Sequence, residues 1–327
     1  MAHLPPHRVV YKKLGEQQID ADLYIPPSSV RTTKATGCPV IIDIHGGAFK
    51  LGSSRLVNND QIRDCTDRGW LVVAPNHRLC PQVTVLDGPI QDCRDLLAWI
   101  HAGGLQEALD ALAVGDDEEI PVDLDHVFAF GTSSGGTLAL CLGFGVPRPV
   151  AGIFSLYGPV HFSHPFWTSP LPHLRSKLPP NLDPSFLNLV FSESPVPTEG
   201  GVSLEGQAAP GGSPDFSDPR QAYALTQIAN GTLWDAIFPS KEWKEIDPVL
   251  NVTGQFPPTF IVHGEEDDMV PLELSWKLYE VLRREGVRCG MRTAPGEGHT
   301  FAARMTVGSR TWEVQKEGFE FLEALLR

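Results

Sequence analysis

The segment Gly131-Thr132-Ser133-Ser134-Gly135-Gly136 constrains the fold of this chain more than any other. It follows Val127-Phe128-Ala129-Phe130, a short apolar run of the kind found in strands covered on both faces. It precedes Thr137-Leu138-Ala139-Leu140-Cys141-Leu142, a small-residue stretch that reads as a helix. A chain that turns so sharply from strand to helix strains its backbone at the central serine. It therefore needs neighbours without bulk, so that strand and helix can approach. Gly131 and Gly135 meet that need for Ser133. Ser134, with Thr132 two residues before it, is the poorer nucleophile candidate. Its backbone N–H, at a helix N-terminus, suits developing negative charge instead.

The rest of the chain supplies the matching scaffold. Residues 39–44, 70–74, 150–156 and 259–262 repeat the buried-strand type, and 287–293 is strand-like. Residues 8–12 and 18–25 read as a hairpin around Gly15. In its second arm Asp20, Asp22 and Tyr24 alternate with Ile19, Ala21 and Leu23, the pattern of a half-exposed antiparallel edge. Amphipathic helices are expected at 92–101, 272–285 and 312–326. Buried strands alternating with helices predict an α/β chain whose mostly parallel sheet carries helices on both faces.

Three further loops end buried strands and carry chemistry. His45-Gly46-Gly47-Ala48-Phe49 offers tandem glycines whose N–H groups can approach a substrate oxygen, with His45 in a structural role. In His263-Gly264-Glu265-Glu266-Asp267-Asp268 any of four carboxylates could orient a histidine. Gly298-His299-Thr300-Phe301 places a histidine beside glycine in a loop, where use as a base is expected. Serine, then acid, then histidine, each at the C-terminal end of a strand, is the chain order of α/β-hydrolases.

These motifs together resemble the hormone-sensitive-lipase-like esterase branch of the α/β-hydrolase superfamily, from about residue 20 to the end. The matching pieces are His45-Gly46-Gly47, Arg78-Leu79-Cys80-Pro81, Gly131 to Gly136, Gly264-x-x-Asp267-x-x-Val270-Pro271 and Gly298-His299-x-Phe301. The resemblance implies an eight-stranded sheet and selects Asp267 as the acid. It implies a triad of Ser133, Asp267 and His299, with an oxyanion hole from Gly46, Gly47 and Ser134. Two departures stand out: Ala48 replaces a third glycine, and Asn76-His77 replaces the Asp-Tyr usual before Arg-Leu. The second puts the support of the nearby loop in question. The implied activity is hydrolysis of a carboxylic ester or related acyl compound through an acyl-enzyme. A thioesterase, lactonase or lactone-forming enzyme acting on a polyketide-like metabolite would share every motif. A formamidase-like amidase or a non-catalytic receptor on the same fold are more distant readings.

Residues 158–258 interrupt the alternation. Sixteen of the 29 prolines fall there, so the proline excess is local and marks an insertion between two core strands, carried over the sheet's edge. It is read as a cap, with residues 1–157 and 259–327 as the core and with a mobile loop at Ser192–Pro219. Its aromatics suggest an apolar acyl substrate, and Phe49, Phe162 and Trp167 are the candidate contacts. A net charge of −14 argues against nucleic acid or an anionic membrane as partner. A small-molecule acyl substrate, possibly bound to a carrier protein, is expected instead. No cofactor or metal is expected. The N-terminal residues lack the pattern of a signal peptide, the acidic run Asp116–Glu119 reads as a solvated loop, and the six scattered cysteines read as free thiols of a cytoplasmic protein.

Overall fold

Eight strands form one sheet in the order β1-β2-β4-β3-β5-β6-β7-β8 in the computed structural model, which describes residues 5–31, 37–112, 119–201 and 215–327. The strands are β1 His7–Leu14, β2 Gln17–Tyr24, β3 Cys38–Ile44, β4 Leu71–Pro75, β5 Val122–Thr132, β6 Gly152–Leu156, β7 Thr259–Gly264 and β8 Cys289–Ala294. β1 and β2 pair antiparallel, and β2 meets β4 antiparallel. The other six strands are parallel. This is the eight-stranded, mostly parallel α/β-hydrolase sheet that the sequence predicts.

Every residue of β3, β4, β6 and β7 is buried, because helices cover both faces. Alternate side chains divide between two cores. Val40, Ile42 and Ile44 join one with Val127 and Ala129, while Ile41 joins the other with Phe128 and Phe130. In the second core Phe319, from the Arg310–Glu323 helix, packs edge-on against Phe130 and Phe154 at 5.0 and 5.1 Å. Such aromatic pairs contribute roughly 1 kcal/mol each beyond their buried area. That helix starts two residues earlier than the periodicity indicates, because the Ser309 side chain accepts the Trp312 N–H. Two helices, Asn59–Asp67 and Gly104–Leu112, have no counterpart among the sequence expectations. The first buries Gln61 and Thr66 alongside Ile62 and Cys65, so its inner face has no apolar period to read.

One strand departs from expectation. β2 is the second strand of the sheet, not its edge, and Asp22 and Tyr24 are buried. Arg8 of β1 lies across Asp20 and Asp22, and Ser54 Oγ donates to Asp22 at 2.7 Å. The polar face of β2 is therefore covered by partners rather than by water.

Residues 158–258 leave the sheet after β6 and return at β7. The proline-rich composition hides helices here. Asp183-Pro184, Asp218-Pro219 and Asp247-Pro248 each start one, with the aspartate accepting an N–H of the first turn and the proline at the first helical position, where it lacks nothing. Pro219–Asn230 is the longest. Within Ser192–Pro219, residues 202–214 lie outside the described residues, as do 116–118 of the acidic run and the first four of the chain. The described part of that stretch is tied down: Pro197 O accepts from Leu79 N, Gly200 N donates to Gly52 O, and Val196 O accepts from Gln17. The segment thus crosses the loops after β3 and β4 and reaches the β1–β2 hairpin. No described helix is long and apolar enough to cross a membrane.

Candidate active site

Ser133 sits between β5 and the Ser134–Cys141 helix with φ 50° and ψ −124°, a strained conformation for a residue with a side chain. The turn works only because its neighbours lack bulk. A Cβ on Gly131 would lie 2.3 Å from the Gly135 carbonyl, and one on Gly135 would lie 2.0 Å from Ile44 O. The second contact also brings the serine turn against the loop that follows β3. The Ser133 N–H donates to Leu156 O at 3.0 Å, which fixes the turn to β6.

The structure joins the three predicted triad residues in one hydrogen-bonded chain. Ser133 Oγ lies 2.9 Å from His299 Nε2, and His299 Nδ1 lies 2.6 Å from Asp267 Oδ2. All three side chains are buried to within a tenth of their surface. Asp267 Oδ1 accepts the Met269 and Val270 N–H groups at 3.0 and 2.8 Å. Burial alone would raise this carboxyl. The charge of His299 and hydrogen bonds from His263 and His299 outweigh it and hold Asp267 well below the usual carboxylate range. Of the loop's four acids, Asp267 is the one that the resemblance selects, and its carboxylate reaches His299 Nδ1. Two residues that the sequence reading passed over complete this end. Tyr157, just after β6, sets its ring edge-on to His299 at 4.9 Å. His263, at the end of β7, lies 3.1 Å from Asp267 Oδ2. A tyrosine straight after a buried strand and a histidine just before the acid's glycine were the signals available.

The opposite end is the loop after β3. Gly47 has φ 124°, and its carbonyl accepts from the N–H groups of Lys50 and Leu51. Ala48 follows with φ 53°, which alanine adopts at a cost of roughly 1–2 kcal/mol and glycine would adopt freely. Among the described residues no acceptor faces the N–H groups of Gly46, Gly47 or Ser134, the three expected oxyanion donors. His45 is buried. Its Nδ1–H donates to Gly46 O at 2.8 Å, and its ring stacks on His77 at 4.6 Å. Burial, with the second imidazole beside it, pushes His45 down to about 3, and burial pushes His77 down to about 4, so both rings are neutral near pH 7.

The departure at Asn76-His77 finds its reason here. Asn76 is fully buried. Its Nδ2 donates to Asp20 (2.7 Å) and to Glu199 of the 158–258 segment (2.8 Å), while its Oδ1 accepts from Ser54 N (2.8 Å). An aspartate could not donate to those two carboxylates. Further along the same motif, Arg78 forks onto buried Asp92, Cys80 N donates to Phe49 O, and Cys80 O accepts from Arg220. Arg220, from the 158–258 segment, also donates to Lys50 O and Gln82 and pairs with Glu193. Lys50 itself is wholly buried over the Tyr223 ring, and burial pushes it down to about 7.

The three expected substrate contacts are packed together. Phe49 faces Trp234 at 5.9 Å, Phe162 lies 4.1 Å from Trp234, and Trp167 is edge-on to both Phe162 and Trp234. This aromatic cluster is continuous with the larger of the two cores against the sheet. Trp167 also borders an apolar cavity of about 20 Å³ shared with Leu171, Leu233 and Met269. Met269 is two residues from Asp267.

Comparison with known proteins places this geometry. A BD-FAE family model matches residues 21–148, and a prolyl oligopeptidase family model matches residues 215–326. Esterase 2 of Thermogutta terrifontis, in a form phosphoramylated by tabun, superposes with a TM-score of 0.63 at 17% identity, over 99% of this chain and 96% of that one. The native form of the same esterase gives 0.61 at 18%, over 98% and 91%. Among curated proteins, the non-reducing polyketide synthase AusA of Aspergillus calidoustus is 29% identical over 98% of this chain and 14% of its own length. Methylphloroacetophenone synthase of Cladonia uncialis is 29% identical over 98% of this chain and 13% of its own. The chain thus spans about 14% of the length of the curated relatives it matches.

Proposed function

We propose that the chain, which has the α/β-hydrolase fold, is a serine hydrolase of the hormone-sensitive-lipase-like esterase type that releases a polyketide-type acyl group from an ester or thioester through an acyl-enzyme on Ser133. The observation that carries the reading is the unbroken chain Ser133–His299–Asp267. Ser133 Oγ attacks the acyl carbonyl while His299 Nε2 takes its proton. Asp267 holds the imidazole with Nε2 free to accept, and it stabilises the imidazolium that forms. The oxyanion develops against the N–H groups of Gly46, Gly47 and Ser134, each worth about 10²–10³ in rate. His299 then protonates the leaving thiol or alcohol, and water or a hydroxyl of the acyl chain itself takes the acyl group.

The thioester form of this reading is favoured by the relatives, since nearly the whole chain aligns with a part of polyketide synthases. In such a reaction residues 158–258 serve as the cap, and Phe49, Phe162 and Trp167 shape it rather than touch the acyl group. The test compares one aromatic acyl group presented as a pantetheine thioester, a p-nitrophenyl ester and a lactone. The thioester is expected to show the largest kcat/KM, with all turnover lost in Ser133→Ala. Turnover of the oxyester or lactone alone would return the chain to general carboxylesterase chemistry.

A further inference from the structure

The acid end of the site holds a histidine that the three-residue mechanism does not use. His263 is the fifth residue of β7, and it is completely buried. Its Nε2 faces two acceptors, Val270 O at 2.7 Å and Asp267 Oδ2 at 3.1 Å, so Nε2 carries the proton. In the neutral ring Nδ1 is then the bare nitrogen, and the Ser275 hydroxyl, buried on the Leu272–Arg284 helix, donates to it at 2.8 Å. Ser275 thereby fixes the His263 tautomer, and that tautomer aims a donor at the same carboxylate oxygen that receives His299 Nδ1–H. Five buried side chains form one line: Ser275, His263, Asp267, His299 and Ser133.

We propose that His263, with its tautomer fixed by Ser275, is a positioning residue that sets how strongly Asp267 holds the protonated His299. The proposal rests on the reading of Ser133, His299 and Asp267 given above. The physical argument concerns a shared oxygen. A carboxylate oxygen that accepts two N–H groups gives less of its charge to either. His263 therefore moderates the pull of Asp267 on the imidazolium, which must form and then give its proton to the leaving group in each cycle. Asp267 Oδ2 is the atom that His263 and His299 share.

Removing the donor returns negative charge to the His299 side, so His299 should hold its proton to higher pH. The experiment measures the rate of fluorophosphonate labelling of the intact chain against pH, which needs no knowledge of the natural substrate. His263→Phe keeps a flat ring and loses the donor. Its acidic limb is expected to move up by about one pH unit, a tenfold change in proton affinity. His263→Gln restores an N–H donor and should recover part of the shift. Ser275→Ala releases the tautomer and should shift the limb in the same direction by less. The His299 Nδ1–H resonance in the unlabelled protein should move in the two variants that lose or loosen the donor. A folded His263→Phe whose acidic limb and resonance stay put would reduce His263 to a prop for Val270 O and overturn the proposal. If His263→Phe does not fold, an unmoved limb in Ser275→Ala overturns it equally. Failure of the triad reading shows differently: Ser133→Ala would then label like the parent.

Discussion

The two ends of the candidate site are held by different means. At the acid end, Asp267 takes four donors from its own loop, from β7 and from His299, and no residue of the 158–258 segment enters that set. At the oxyanion end, the loop carrying Gly46 and Gly47 is stacked and bonded from outside. His77 lies on His45, Asn76 ties Ser54 to Asp20 and Glu199, and Arg220 reaches in from the Pro219–Asn230 helix to Lys50 O and Cys80 O. The Asp267 carboxylate is bonded by its own loop, β7 and His299; the oxyanion loop is held by neutral imidazoles and by residues of the 158–258 segment.

Substitutions that act on one end only should break this contrast most clearly. Asp267→Asn is expected to lower kcat by about 10⁴-fold and to lower the melting temperature as well, because the amide keeps the shape but loses the charge and turns an NH2 toward donors that an oxygen had accepted. Stopped assays on the purified variant beside its melting curve check both halves.

Acid should separate the two ends next. His45 and His77 lie below the ordinary histidine value in the folded chain, at about 3 and about 4, so the unfolded chain binds protons first as pH falls. Their contribution is whole above about pH 6.5 and shrinks below it, by up to about 4 kcal/mol between pH 7 and 5. Asp267 has the same sign but a lower window: it is held low, so its contribution survives until the pH falls through the ordinary carboxylate range near 4. Urea midpoints at pH 7, 6 and 5 should fall accordingly. His77→Phe, which keeps the stack and removes one titrating ring, should flatten the fall by about half.

A smaller effect is expected from Asn76→Asp. It withdraws the donor from Asp20 and Glu199 and sets a third carboxylate against them, costing about 2 kcal/mol. It should lower kcat several-fold through the oxyanion loop and leave the acidic limb of the pH profile in place. Adding Glu199→Gln should restore part of the stability, as measured by denaturant titration of the single and double variants.

The same contrast governs what the sequence disclosed. The sheet was legible because parallel strands buried on both faces must be nearly continuous apolar runs, as in β3 and β7. The serine turn was legible because only glycine fits where Gly135 meets Ile44 O. Asp267 and His299 followed from strand ends and their neighbouring glycines. What stayed hidden depends on contacts between distant residues. Asp22 reads as an edge residue until Arg8 and Ser54 cover it. The Asp-Pro helix starts of residues 158–258 read as breaks, since proline at the first helical position and proline in a loop look alike without the helix. Asn76 reads as a lost aspartate until Glu199, 123 residues away, appears as its partner. His263 reads as a residue of the acid loop until Ser275 gives it a tautomer.

The central claim is that Ser133 is the acyl-accepting nucleophile. Intact-mass measurement after fluorophosphonate treatment tests it most directly. The parent chain should gain one adduct, mapped by peptide analysis to Ser133, and Ser133→Ala should gain none. An adduct of equal yield on Ser133→Ala, or one mapped to Ser134, would contradict the account.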